Sequence, residues 1–133
     1  MKVEKYKRES KRLRSLISLK FSIIDYLEIG VLSENHLFSE ILKKYVSIKK
    51  VTSRKLADNL GVHETKFSRI INNKENPGLG LLYRIEVHSN NILPASLLWH
   101  LVARKMLVEI DTNIKEKNKQ SKHVKNRLIL KTA

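Results

Sequence analysis

Between residues 64 and 69 the chain sets five hydrogen-bonding side chains around a single apolar one: Glu64, Thr65, Lys66, Phe67, Ser68 and Arg69. In a helix, Phe67, Ile70 and Ile71 share one face and point inward, which leaves the polar five on an exposed ridge. The chemistry open to such a ridge is recognition. A carboxylate accepts hydrogen bonds, hydroxyls donate and accept, an ammonium donates as a point charge, and a guanidinium donates as a planar fork. Catalysis finds no comparable support. The five histidines (36, 63, 88, 100 and 123) are scattered without an HExxH spacing, and neither a Gly-rich phosphate loop nor a Gly-x-Ser-x-Gly elbow occurs. The chain has no cysteine, so thiolate metal sites and disulfides are ruled out. The expectation is no enzyme, no metal and no cofactor.

Two short helices must position this ridge. In "SRKLADNL" (residues 53 to 60), Ser53 or Thr52 caps the start, and Leu56, Ala57 and Leu60 lie on one face. Gly61 ends the helix, because glycine takes the left-handed conformation without a Cβ penalty. Val62 plugs the corner, and His63 or Glu64 opens the second helix. The small Ala57 lets the two backbones approach. A helix broken at glycine and restarted at once presents its second piece on the surface, where it can enter a groove about 12 Å wide. The alternative is an ordinary αα-corner that only packs.

The stretch "SRKLADNLGVHETKFSRIIN" resembles the helix-turn-helix of phage repressors, the XRE family. Leu56-Ala57, Gly61-Val62, Phe67 and Ile70 stand where that motif has apolar, small, Gly, apolar, apolar and apolar residues. The likeness extends over residues 37 to about 92 and includes "NNKENP", similar to the family's turn ending in Asn-Pro. His63 replaces the usual Ser or Thr cap, and Asn73 replaces the usual Gly after the second helix. The resemblance implies a lambda-repressor-like helical bundle that binds double-stranded DNA, and base-edge contacts from Glu64, Thr65, Lys66, Ser68 and Arg69. Lys66 and Arg69 would donate to guanine, and Glu64 would accept from a cytosine amino group. Ser53, Arg54, Asn73 and Lys74 would hold phosphates, which positions without specifying. For Arg54 and Lys55 the competing reading is a solvated helix face.

The rest of the chain reads as all-α. Leu13, Leu16, Ile17, Phe21, Ile24 and Leu27 recur at steps of three and four over residues 5 to 29, with Gly30 as a stop and Ser33 as the next cap. A helix over 34 to 50 carries Leu37, Phe38, Ile41, Leu42, Tyr45 and Val46. Another runs from Leu79 to Ser89 and is broken by Asn90-Asn91. A last one starts near Pro94, a first-turn residue, and carries Leu97, Leu98, Leu101, Val102, Met106 and Leu107. Residues beyond Asp111 form either a frayed helix or a segment that orders on a partner.

This divides the chain into a basic amphipathic arm (1–33), a DNA-binding domain (34–110) and a basic tail (111–133). "NNILPASLLWHLVARKMLVEI" also looks similar to the end of antitoxins of the host-inhibition-of-growth class, although His100 follows Trp99 where that family has Leu. The alternative function is therefore an antitoxin that binds a protein toxin and represses its own operon. The plainer reading makes Trp99 a core anchor and His100 a partly buried packing residue.

Charge is the other guide. The net +14 is concentrated at the ends: residues 1–20 hold eight Lys/Arg against Glu4 and Glu9, and residues 112–133 hold seven against Glu116. Such ends suit a polyanion, or are solvated segments that aid solubility. The longest apolar run, residues 16 to 32, is interrupted by Lys20, Asp25 and Glu28, which makes a poor membrane span and a poor signal peptide. The expectation is a cytoplasmic transcriptional repressor, a homodimer without membrane contact, whose dimer material is the N-terminal helix and the Pro94 helix.

Overall fold

The computed structural model describes residues 2–29 and 36–130. Among these the protein is all-helical: α1 Lys2–Ile29, α2 Phe38–Lys49, α3 Ser53–Asn59, α4 Glu64–Ile71, α5 Leu79–His88, α6 Ala95–Thr112 and α7 Ile114–Ser121. The expected stop at Gly30 and cap at Ser33 lie outside the described residues. Helix α2 is the hub and packs on α1, α3, α4 and α6, while α6 also packs on α5 and α1. Ile41, Leu42 and Tyr45 of α2 are buried with Leu56, Phe67, Ile70, Leu82, Leu98 and Val102, so one core joins the central five helices to the second half of α1.

The local sequence explains the boundaries. Thr52, not Ser53, caps α3: its hydroxyl accepts from the Lys55 N–H at 3.1 Å. Asn90 and Asn91, with φ of 55° and 64°, separate α5 from α6, as side chains tolerant of the left-handed region should. Pro94 sits at the N-cap of α6 and not inside its first turn. Glu86 of α5 supplies the missing cap, its carboxylate accepting from the Ala95 N–H at 3.0 Å. The segment after Asp111 divides: residues 114–121 form α7, capped by Asn113, and residues 125–130 form no helix.

Three expectations about burial are corrected. In α1 the core side is Leu16, Leu19, Ile23 and Tyr26, whereas Leu13, Ile17 and Phe21 are 47%, 39% and 57% exposed. Of the expected stripe Leu16 is buried and Leu27 packs partly on the core, but the helix has two apolar sectors, and packing on α2 and α6 adds Leu19, Ile23 and Tyr26, which spacing alone did not single out. In α6, Met106 and Leu107 are exposed because the helix runs on past its neighbours. Trp99, 40% exposed, is not a core anchor, and His100 is exposed beside it, on the face opposite Leu98, Leu101 and Val102.

Candidate nucleic-acid interface

The turn between α3 and α4 is built from backbone hydrogen bonds that require a left-handed residue. Gly61 adopts φ +67°. Its N–H donates to the Asp58 carbonyl at 3.0 Å, and the Val62 N–H donates to the Ala57 carbonyl at 2.9 Å. Arg84 of α5 braces the same turn from outside, donating from one guanidinium nitrogen to the Leu60 and Gly61 carbonyls at 3.1 and 2.8 Å. Nothing in the spacing of α5 marked Arg84 for this. The one signal was a cation inside an apolar helix.

Beyond the turn, His63 caps α4, its Nδ1 accepting from the Thr65 N–H at 3.2 Å. Phe67, Ile70 and Ile71 are buried, and Glu64, Thr65, Lys66, Ser68 and Arg69 are all exposed. At about 100° per residue, Thr65, Arg69 and Asn72 fall opposite the buried side, while Glu64, Lys66 and Ser68 flank them. Asn72 was not among the expected contact residues. Its amide donates to the Ser68 carbonyl at 2.9 Å, which sets its side chain along the ridge. The sequence signal was there: position 72 is one turn beyond Ser68.

Helix α4 ends as α3 does, with Asn73 at φ 61° in the role of a glycine, its N–H donating to the Ile70 carbonyl and that of Lys74 to the Arg69 carbonyl. Lys105 of α6 locks this turn, since its ammonium donates to the Asn73 and Asn76 side-chain oxygens at 2.5 and 3.1 Å. The Asn73 amide is therefore engaged from within the molecule, and the turn presents Lys74 outward.

Among the expected residues, Ser53, Arg54, Glu64 and Ser68 line one shallow concavity with Lys43 and Asn72, where α2, α3 and α4 meet. Arg54 and Glu64 pair across it at 3.5 Å, although both are largely exposed, so the pair is weak and can exchange for a ligand. Thr65, Lys66 and Arg69 lie outside this hollow on the ridge, and Asn73 and Lys74 lie at the other end of α4. Among the described residues, the side chains of Lys66, Arg69 and Lys74 have no intramolecular partner. The arrangement offers two unpaired cations on a short polar helix, with a third cation on the turn behind it.

Among the described residues no group of His, Cys, Asp or Glu could hold a metal ion. None of their helices is long and apolar enough to cross a membrane. Comparison of the chain with protein-family models, curated proteins and solved structures gave no match.

Proposed function

We propose that the chain is a sequence-specific double-stranded DNA-binding regulator, a repressor of the helix-turn-helix type, that inserts α4 into the major groove. The observation that carries this reading is the ridge itself. Thr65, Ser68, Arg69 and Asn72 project from a helix set off by the Gly61 turn, and its two cations are unpaired. Arg69 reads guanine through its fork, and Thr65 and Asn72 take neighbouring bases. Lys66 serves one flank. Glu64 is released from Arg54 to accept from cytosine as Arg54 turns to a phosphate. Ser53 and Lys74 hold the backbone at the two ends of the contact. The protein acts in the cytoplasm as a homodimer that reads two half-sites about one helical turn apart.

A gel-shift assay tests this with the DNA upstream of the protein's own reading frame. Specific duplex should be retarded at concentrations about 10³-fold or more below those needed for a random duplex at the same salt. Equal retardation of both would leave only a basic protein. The exposed Trp99 supports a second reading, an antitoxin that holds a protein toxin through α6. Co-expression with the product of a neighbouring small gene, followed by co-purification that fails for Trp99→Ala, tests it.

A further inference from the structure

We infer that α1 pairs antiparallel with α1 of a second copy of this chain, through the exposed apolar stripe along α1. Helix α1 has 28 residues, so it is about 42 Å long, yet it contributes to the core only from Leu16 onward. Its first four turns run past the core. Those turns extend a helix that is anchored only from Leu16 onward.

This projecting part is not uniformly polar, and its apolar stripe continues along the outer side of the half that packs on the core. Val3, Tyr6, Leu13, Ile17 and Phe21 are 64%, 72%, 47%, 39% and 57% exposed. With Ile24 they fall within about 80° of arc at 3.6 residues per turn. At Ile24 the stripe meets a groove between α1 and α6 that is lined by apolar side chains of both helices and also by Glu28, His100 and Arg104.

Charge selects the occupant and its direction. Residues 2–14 carry seven Lys/Arg against two Glu, whereas residues 21–29 carry Asp25 and Glu28 and no cation. Two parallel copies would oppose like charges along the whole length. An antiparallel pair places the basic start of each α1 beside the acidic end of the other, and a two-fold axis makes this favourable twice.

The stripe is also self-complementary in one register. With residues summing to 27 across the axis, Val3 meets Ile24 of the second copy, Tyr6 meets Phe21, Ser10 meets Ile17, and Leu13 lies at the axis. The exposed fractions leave on the order of 500–600 Å² of apolar surface per copy, at the top of the range for a monomer's largest patch. Together with the aliphatic stems of the flanking Lys and Arg, that approaches the ~800 Å² per partner of a stable interface. This inference rests on the proposed homodimer, and it is independent of whether α4 reads DNA.

The absence of cysteine makes a direct test available on the full chain without DNA. Under mild oxidation Leu13→Cys should give a disulfide-linked dimer, and Val3→Cys mixed with Ile24→Cys should give a linked pair, whereas Val3→Cys alone should not. The paired substitution Ile17→Glu with Phe21→Glu should lower the sedimenting mass to that of a monomer and raise the dissociation constant at least 100-fold. Far-ultraviolet circular dichroism would show that its core helices persist. Efficient self-linking of Val3→Cys, absence of any linked species, or a monomeric parent chain would overturn the inference. Specific DNA retention tests the α4 reading separately, so linking without retention sinks only that reading.

Discussion

Lys74 and Arg69 carry the same charge a few residues apart, yet the proposed function gives them different work. Lys74 follows the left-handed Asn73, beyond the end of α4, and is exposed; under the proposed function its contact is with phosphate. Lys74→Ala should therefore weaken binding about equally on every duplex and flatten the slope of log affinity against log salt by about one unit. A loss confined to one sequence would refute the assignment. A second residue-scale effect concerns stability. The Tyr45 hydroxyl lies 2.6 Å from His88 Nδ1 and joins α2 to α5. Burial and the nearby Lys49 hold His88 below its ordinary 6.5. Burial and Lys44 do the same to His36, which stacks on Tyr26 at 4.5 Å. An imidazole with a depressed folded pKa binds fewer protons folded than unfolded. Stability is then complete above about pH 6.5 and falls as pH drops through that value. At the alkaline end burial pushes Tyr45 up to about 12 from 10.0, so stability falls as pH rises between those values. Urea midpoints should be lower at pH 5.5 than at pH 7.5, and the difference should shrink in His88→Asn; a pH-independent midpoint would contradict this.

At the scale of elements, what spacing could reveal was local and what it missed was tertiary. The Gly61 break, the inward Phe67, Ile70 and Ile71, and the Asn90-Asn91 break each follow from backbone preferences within a few residues, and the structure has them all. The buried side of α1 was not legible in the same way. Two apolar sectors satisfy the same three-and-four spacing, and only the placement of α2 and α6 decides between them. Arg84 and Lys105 were missed for the same reason, because each braces a turn more than twenty residues away in sequence. The Gly61 turn gives the element-scale prediction. Gly61→Ala must hold a Cβ at φ +67°, and that Cβ would meet the flexible end of Arg84 at 3.3 Å. The left-handed conformation costs about 1–2 kcal/mol, and the side-chain end can shift. Thermal unfolding should shift down by several degrees; an unchanged midpoint would mean that the turn can relax.

Across the whole molecule, charge and fold are separated. The central helices are close to neutral, while the two ends hold most of the +14. The described residues from Glu109 onward are all exposed. Deleting residues 112–133 should leave core helicity and cooperative unfolding intact and reduce non-specific DNA affinity, because it removes seven Lys/Arg against one Glu. Broadened or early unfolding would show that the tail supports the core. The all-helical class was legible from the whole sequence, since four glycines, two prolines and sustained three-and-four spacing leave little room for strands. A binding partner was not legible in this way, because recognition depends on which exposed side chains meet at one surface. The most direct measurement is selection of bound duplexes from a random pool, with the parent chain and Arg69→Ala run side by side. Two enriched half-sites about 10 base pairs apart are expected for the parent, with loss of preference at one guanine in each half-site for the variant. Absence of enrichment, or the same enriched sequence from both proteins, would contradict the proposed function.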